Sequence, residues 1–260
     1  MSSEVTCLSQ LTSLLREKQN HGIYSLKPRA LLELLESREP PSNREFQMVF
    51  PPVSIGSPSA FEATIICLLV RLFNPMKIVE IGTYTGYITS LLAKNSDPTA
   101  KIITVDLPQG SYLSNLDTVS SDTLLHNWQT NDDFLKQMQS DNGEIYLQGL
   151  DNLHASKIGL LKENSMNLSD KTLQSMANAD FFFIDGGHSL LNIQVDTSTG
   201  LNCLAAKGIL FWHDYTSKIH QDVTKYIQET LSKEITIFHI QGTTLAIYFK
   251  ELVDVFLAKE

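Results

Sequence analysis

The chain has 260 residues, of which 42% are hydrophobic and 19% charged, and its formal net charge is −9. This length and composition fit one globular α/β domain with additions, and they exclude a largely disordered chain. The acidic balance argues against nucleic acid as the main partner, because binding to phosphates requires basic surface.

Apolar residues at helical spacing predict two amphipathic helices near the N-terminus, around Val5–Lys18 and Pro28–Glu36. A third, buried helix is predicted over Ser59–Phe73, because this run is largely apolar and ends at an Asn-Pro pair. We therefore divide the chain into an N-terminal helical extension (residues 1–58), a main domain (59–250) and a C-terminal tail (251–260).

From Lys77 onward, short apolar strands alternate with helical segments, which predicts a mostly parallel sheet covered by helices on both faces. Near the C-terminus, Gln241-Gly242-Thr243 separates two β-rich runs and predicts an antiparallel hairpin. The predicted strands are Lys77–Ile81, Lys101–Asp106, Ile158–Glu163, Asp180–Ile184, Gly208–Trp212, Ile235–Ile240 and Thr244–Phe249. The predicted helices are Thr85–Lys94, Ser169–Met176, Leu190–Leu204 and Ser217–Ser232.

One connection is much longer than the others. Residues 107–156 lie between the second and third predicted strands of the main domain, and loops of this length usually have a function. The segment is rich in leucine and aromatic residues. It therefore predicts a helical insertion that covers the ligand site.

The stretch Lys77–Tyr87, KIVEIGTYTGY, joins an apolar strand to a glycine turn. This order is typical of the first strand and loop of a nucleotide-type binding domain. A dinucleotide fold needs a middle glycine where the pyrophosphate approaches the helix, and this chain has Tyr84 there. The loop therefore suits a ligand without a pyrophosphate, with an amino-bearing or positive group near the Glu80 carboxylate.

Further acidic residues follow the predicted strands. Asp106 comes 20 residues after Gly86, Asp185 ends the FFFI strand, and His213-Asp214 ends the GILFW strand. Ligands of open parallel sheets bind outside the carboxyl ends of the strands. We therefore expect these side chains to line one site, with Asp106 able to accept hydrogen bonds from a vicinal diol.

Four segments together resemble class I S-adenosylmethionine-dependent methyltransferases, in particular small-molecule O-methyltransferases. They are VEIGTYTGY (Val79–Tyr87), ITVDLP (Ile103–Pro108), FFFIDGGHS (Phe181–Ser189) and KGILFWHDY (Lys207–Tyr215). The last two are similar to the branch that contains sugar and macrolide O-methyltransferases and cephalosporin-hydroxylase-like proteins. The resemblance implies a Rossmann-like seven-stranded sheet of order 3-2-1-4-5-7-6 and methyl transfer from S-adenosylmethionine to a hydroxyl group.

The resemblance also implies which residues bind the cofactor. Glu80 would hold the amino end of the ligand or fix the loop backbone, Asp106 would bind the ribose hydroxyls, and Asn164-Ser165 would line the adenine. The complete implied set is Glu80, Gly82, Thr83, Tyr84, Thr85, Gly86, Asp106, Asn164, Ser165 and Asp185.

Removal of the acceptor proton requires a base. The imidazole of His188 has a suitable ordinary pKa, near ~6.5, but His188 is as well placed to cap the helix that begins near Ser189. His213 is the rival base, with Asp185 or Asp214 to orient it. The candidate catalytic residues are therefore His188, His213 and Asp185, while the remaining histidines, among them His220, carry no spacing signal.

In metal-dependent relatives, an acid after the fourth strand and a pair of residues after the fifth hold magnesium. The resemblance places such a site at Asp185, His213 and Asp214. Magnesium prefers hard oxygen ligands. Because His213 contributes an imidazole nitrogen, the predicted site could instead bind a softer divalent ion, or no ion.

We expect the partner to be a hydroxylated small molecule rather than a nucleic acid or a membrane, and the N-terminal helices suggest a homo-oligomer by analogy. Widely spaced cysteines and an N-terminus without a signal-peptide pattern predict a cytoplasmic protein. Two other functions stay open. One is a non-catalytic S-adenosylmethionine-binding accessory protein, indicated by Gly187 and His213. The other is a NAD-type oxidoreductase, against which Tyr84 and the C-terminal hairpin count.

Overall fold

The computed structural model describes residues 4–16, 21–38, 45–52, 56–108, 132, 135 and 144–250. Within these ranges, no helix combines the length and the apolar character needed to cross a membrane. The predicted C-terminal tail (251–260) and most of the predicted insertion at 107–156 lie outside the described residues.

The N-terminal segment alternates two short strands with two helices. The sequence predicts the helices but not the strands, because five or fewer residues without a clear alternation give little signal for a strand. In chain order the elements are β1 (Glu4–Val5), α1 (Leu8–Arg16), β2 (Gly22–Leu26) and α2 (Pro28–Arg38).

All seven predicted strands of the main domain are present. Their ends differ from the predicted ones by no more than a few residues. In chain order they are β3 (Lys77–Ile81), β4 (Lys101–Asp106), β5 (Ile158–Lys162), β6 (Ala179–Ile184), β7 (Leu204–Trp212), β8 (Thr236–Ile240) and β9 (Ala246–Phe249).

The strands form one sheet of order β1-β2-β8-β9-β7-β6-β3-β4-β5. All neighbouring strands are parallel except β9, which runs antiparallel to both β7 and β8. The predicted seven-stranded order is confirmed by the run from β5 to β8. The sheet is larger than predicted because β2 pairs in parallel with β8 and β1 pairs with β2, so the C-terminal hairpin is not the edge.

Helices cover both faces of this sheet. After α1 and α2, the helices of the described residues are α3 (Ala60–Phe73), α4 (Tyr87–Asn95), α5 (Ile145–Gln148), α6 (Asn152–Ala155), α7 (Asp170–Met176), α8 (Leu190–Cys203) and α9 (Gln221–Glu229), with 3₁₀ turns at Ser165–Asn167 and Leu231–Lys233. Successive residues of β6 alternate between two hydrophobic cores: Phe181 and Phe183 belong to the core under α1 to α4, whereas Phe182 and Ile184 belong to the core under α7 to α9.

The helix α3 begins with a capping box that also serves the site. The Ser59 hydroxyl accepts a hydrogen bond from the Glu62 backbone N–H, and Glu62 Oε2 accepts one from the Ser59 N–H at 2.8 Å. The second oxygen of Glu62 accepts hydrogen bonds from the backbone and the hydroxyl of Thr244. These contacts fix the Glu62 carboxylate beside the end of β7.

Candidate active site

A cavity of about 380 Å³ lies at the carboxyl ends of β3, β4, β6 and β7. This is the edge of an open parallel sheet where ligands bind. Nine of the residues that the sequence nominates line the cavity: Gly82, Tyr84, Asp106, Asn164, Ser165, Asp185, His188, His213 and Asp214. Glu80, Thr83, Thr85 and Gly86 do not line it.

The glycine loop after β3 needs its glycines for steric reasons. Gly82 has φ of +99°, and a Cβ at this position would lie 2.0 Å from the backbone oxygen of Asp185. Gly86 has φ of +78° and precedes α4, and a Cβ there would lie 2.7 Å from the side chain of Leu147. The loop can therefore lie directly against the end of β6 and beside α5.

Glu80 precedes this loop in β3 and does not line the cavity. Its side chain is 1% exposed, and the hydroxyl groups of Thr89 and Thr104 both donate to Oε2, from α4 and β4 respectively. Thr83 joins the group through a 2.6 Å contact with Thr104. Burial raises the pKa of Glu80 to about 8. The hydrogen bonds of the Glu80 carboxylate therefore link β3 to β4 and α4, and they reach the loop only through Thr104 and Thr83.

Asp106 ends β4 and lines the cavity. Its Oδ2 accepts a hydrogen bond from the Tyr84 N–H at 2.9 Å, and its Oδ1 accepts one from the Leu107 N–H at 2.8 Å. Burial raises the pKa of Asp106 to about 6. The carboxylate is therefore held rigidly, and each oxygen keeps lone-pair capacity for a hydroxyl from the cavity.

Asn164 and Ser165 form another part of the cavity wall after β5. The Asn164 side chain caps the following 3₁₀ turn by accepting a hydrogen bond from the Met166 N–H at 3.0 Å. Asn164, Ser165 and Met166 all line the cavity.

His213, at the end of β7, lies between three carboxylates. Its Nδ1 is 2.9 Å from Asp185 Oδ1 and 3.0 Å from Asp214 Oδ2, while its Nε2 faces Glu62 Oε2 at 3.7 Å, too far for a hydrogen bond. Burial favours the neutral ring, but Asp185 and Asp214 outweigh burial and raise the pKa of His213 well above its ordinary value. The sequence analysis names Asp185 or Asp214 as the residue that would orient His213, and both carboxylates lie within hydrogen-bond distance of its Nδ1.

His188 lies between two other carboxylates. Its Nδ1 is 2.6 Å from Asp132 Oδ1, and its Nε2 is 2.9 Å from Asp214 Oδ2. Burial lowers the pKa of His188, but Asp214 and Asp132 outweigh it and raise this pKa to about 10. Because both ring nitrogens are engaged, His188 is poorly placed as a base. It does not cap α8 either, since Ser189 does.

Asp132, His220 and Glu62 are site residues that the sequence analysis misses. The ring of His220 stacks on that of His188, with 3.6 Å between centroids and 20° between planes. Burial and the neighbouring His188 lower the pKa of His220 to about 4. No motif contains these residues. The proximity of His220 to Asp214 in sequence is the one signal that could have identified any of them.

The residues at the strand ends do not fit the magnesium site that the resemblance implies. Three ligand atoms from Asp185, His188 and Asp214 lie within 4.8 Å of one another, so an imidazole other than that of His213 completes this set. His213 instead makes ion pairs with both carboxylates. Magnesium prefers oxygen ligands in octahedral geometry. We therefore assign no step to magnesium.

A family model described as "Methyltransferase domain" matches residues 79–215. No curated protein matches the chain. Among solved structures, Rv0187 from MTB in a cofactor-bound form is 14% identical, with 85% of this chain and 88% of that chain covered and a TM-score of 0.49. TomG, an O-methyltransferase from Streptomyces achromogenes in complex with SAM, is 14% identical, with 75% of this chain and 82% of that chain covered and a TM-score of 0.47. An O-methyltransferase from Bacillus cereus in complex with SAH is 14% identical, with 85% of this chain and 90% of that chain covered and a TM-score of 0.46.

The family match begins in β3 and ends just after β7. It includes the glycine loop, Asp106, Asp185 and the His213-Asp214 pair, which are the elements that build the cavity. It covers more than half of the chain. The chain therefore belongs to the methyltransferase-domain family.

Proposed function

We propose that this protein transfers a methyl group from S-adenosylmethionine to a hydroxyl group of a small molecule. The observation that carries the proposal is that a single cavity is lined by two kinds of residue. The glycine loop, Asp106 and Asn164-Ser165 suit an adenosine-containing cofactor, while Asp185, His213 and Asp214 suit proton removal. Both halves of such a reaction can meet in this cavity.

The cofactor half relies on hydrogen-bond acceptors and on close backbone approach. Asp106 is fixed by two backbone N–H groups and can accept the ribose hydroxyls, as a carboxylate does with a vicinal diol. The turn at Asn164–Met166 would pack against the adenine. When bound, S-adenosylmethionine supplies an already activated methyl group, so the chain must mainly align the acceptor and remove its proton.

For proton removal, Asp185 and His213 act as a pair. Asp185 lines the cavity, and its Oδ1 lies 2.9 Å from His213 Nδ1. The acceptor hydroxyl would give its proton to His213 in the fraction of molecules whose ring is neutral, and the imidazolium that forms would be stabilised by Asp185, Asp214 and Glu62. His188 has no free ring nitrogen in this arrangement and takes no part as a base.

The small-molecule acceptor would enter the same cavity, whose volume of about 380 Å³ is within the range of ligand sites. Membership of the methyltransferase-domain family argues against the NAD-type oxidoreductase. The non-catalytic accessory protein stays as the alternative.

Binding of S-adenosylmethionine is the first test, by isothermal titration with the wild type and two variants. Asp106→Ala should weaken binding by about tenfold or more, because it removes hydrogen bonds to a charged group. The matched control is Asp180→Ala. Asp180 also accepts two backbone N–H groups, from Met76 and Lys77, but at the opposite end of the sheet, so this variant should bind within about twofold of wild type.

Methyl transfer is the second test, with labelled S-adenosylmethionine and a panel of phenols, sugars and hydroxylated polyketides. Labelled ether products would support the proposal. The accessory-protein alternative would be favoured by tight cofactor binding without transfer to any member of the panel. An absence of cofactor binding up to millimolar concentration would refute both.

A further inference from the structure

We propose that Asp132, His188 and His220 form a binding site for a divalent transition-metal ion, separate from the strand-end carboxylates. One ligand atom from each of the three residues lies within 4.8 Å of the other two. The residues come from three distant segments: the insertion, the turn before α8, and the residue preceding α9. All three line the cavity and are buried.

The three side chains are already in contact with one another. Asp132 Oδ1 is 2.6 Å from His188 Nδ1, and the rings of His188 and His220 are stacked 3.6 Å apart. Metal–ligand distances for imidazole and carboxylate are about 2.0–2.2 Å. Ligand atoms around one ion are then about 3–3.5 Å apart. Binding would therefore separate Asp132 Oδ1 from His188 Nδ1 and turn the His220 ring out of its stacked position, by changes in side-chain rotation.

A buried nitrogen points to a missing partner. His220 is 6% exposed, and its Nδ1 is buried without a hydrogen bond to any described residue. Buried polar atoms are nearly always satisfied, and a bound ion is one of the recognised partners of an atom that has no protein partner. Coordination by a metal ion would satisfy this nitrogen.

A metal-bound histidine usually donates a hydrogen bond from its second ring nitrogen to a carboxylate or carbonyl oxygen, and Asp214 is placed to accept this bond from His188. Its Oδ2 lies 2.9 Å from His188 Nε2, so His188 can donate Nε2–H to this carboxylate while Nδ1 faces the ion. A carboxylate–histidine–metal arrangement of this kind fixes the tautomer and the ring orientation. In this form the ion takes the place of the proton on His188 Nδ1.

The donor set selects the class of ion. Two imidazoles and one carboxylate suit zinc, iron, cobalt or nickel, whereas magnesium takes oxygen ligands. Three protein ligands also leave positions open toward the cavity. An acceptor hydroxyl could bind the ion at an open position. Only this binding of the acceptor rests on the proposed methyl transfer.

The test is titration of the untagged, chelator-treated protein with Zn²⁺ and Co²⁺, followed by metal analysis and by the visible spectrum of bound Co²⁺. We expect about one ion per chain and a Co²⁺ spectrum that indicates a low coordination number for the bound ion. Mg²⁺ at the same concentration should not compete. His220→Ala and Asp132→Ala should abolish binding, and Asp214→Asn should weaken it about 10- to 100-fold.

Two control variants separate this site from others. His154→Ala removes a histidine whose Nδ1 lies 2.7 Å from Asp151 Oδ2 outside the cavity, and this variant should keep the ion. Asp185→Asn should also keep it. If Asp185→Asn loses the ion while His220→Ala keeps it, the ion belongs to the strand ends and the proposal is wrong.

Titration with S-adenosylmethionine shows whether each variant is folded and separates this inference from the proposed function. Cofactor binding without binding of Zn²⁺ or Co²⁺ to the wild type would overturn the metal site alone. An ion bound at Asp132, His188 and His220, without methyl transfer to any acceptor, would overturn the proposed function alone.

Discussion

The free energy of unfolding of the Glu80→Gln variant, measured relative to the wild type, should increase as the pH rises. Burial raises the pKa of Glu80 from 4.5 to about 8, so this side chain takes up a proton on folding at neutral pH. A folded-state pKa above the unfolded value means that the stability present below pH 4.5 is lost as the pH rises toward 8. Gln is close to the neutral carboxyl in shape and does not titrate.

The magnitude follows from the width of that interval. Each pH unit between the two pKa values changes the free energy of unfolding by about 1.4 kcal/mol. Between pH 5 and pH 7.5 the wild type should therefore lose about 3 kcal/mol relative to Glu80→Gln. The hydroxyl groups of Thr89 and Thr104 can still donate to the amide oxygen of Gln, so the variant should fold.

Urea denaturation of both proteins at several pH values provides the assay, and the quantity of interest is the difference in free energy of unfolding. Glu33→Gln is the control. Glu33 accepts the Leu8 N–H at the surface, which lowers its pKa, so its difference from wild type should stay flat above pH 5. A difference for Glu80→Gln that is equally flat would refute the reasoning, because it would mean that Glu80 is ionised in the folded protein.

Two further predictions concern the loop and the proton acceptor. Gly82→Ala should destabilise the protein by about 3 kcal/mol in urea denaturation, because its Cβ would meet the Asp185 backbone at an unfavourable φ. Gly149→Ala should be nearly neutral, because the added Cβ would lie 3.8 Å from the Tyr146 carbonyl oxygen, an ordinary van der Waals contact. The rate of methyl transfer should rise with pH above neutrality, because the raised pKa of His213 keeps the ring protonated at pH 7. A rate that is flat or falling from pH 7 to pH 9, in protein shown to be folded by circular dichroism, would contradict this role of His213.

The sheet was predictable because each strand of the main domain carries its own local signal. In β6, the run FFFI is apolar on both faces and is followed by an acid, Asp185, which is typical of a central parallel strand. The segment β2, GIYSL, has no such signature. Its position is determined by pairing with β8, more than 200 residues away in sequence, and a local pattern contains no information about that pairing.

The site was predictable only where a residue follows a strand. Asp106, Asp185, His213 and Asp214 could be placed because parallel strands bring their carboxyl ends together. Asp132 lies 56 residues from His188 in sequence, inside a segment without a motif, so its contact with His188 arises from tertiary folding alone. Glu80 shows the converse case: its place in the motif was evident, but its side chain points toward α4 and away from the cavity.

The charges around the two central histidines lead to a last prediction. Four carboxylates, those of Glu62, Asp132, Asp185 and Asp214, surround His188 and His213. Even with both imidazoles protonated, two negative charges are in excess, and buried charge without a partner is costly. The site should therefore favour a cationic ligand. We expect S-adenosylmethionine, with its positive sulfonium, to bind more tightly than the neutral thioether product S-adenosylhomocysteine.

The preference for S-adenosylmethionine over S-adenosylhomocysteine should also change when the proposed metal ion binds. A divalent ion that replaces the proton of His188 adds one positive charge, so it should reduce the preference for the sulfonium. Titrations of both ligands, with and without Zn²⁺, measure the two affinity ratios. Equal affinities in the absence of the ion would show that the excess charge is neutralised by proton uptake at the carboxylates, which would also remove the electrostatic reason for expecting a cation at this end of the sheet.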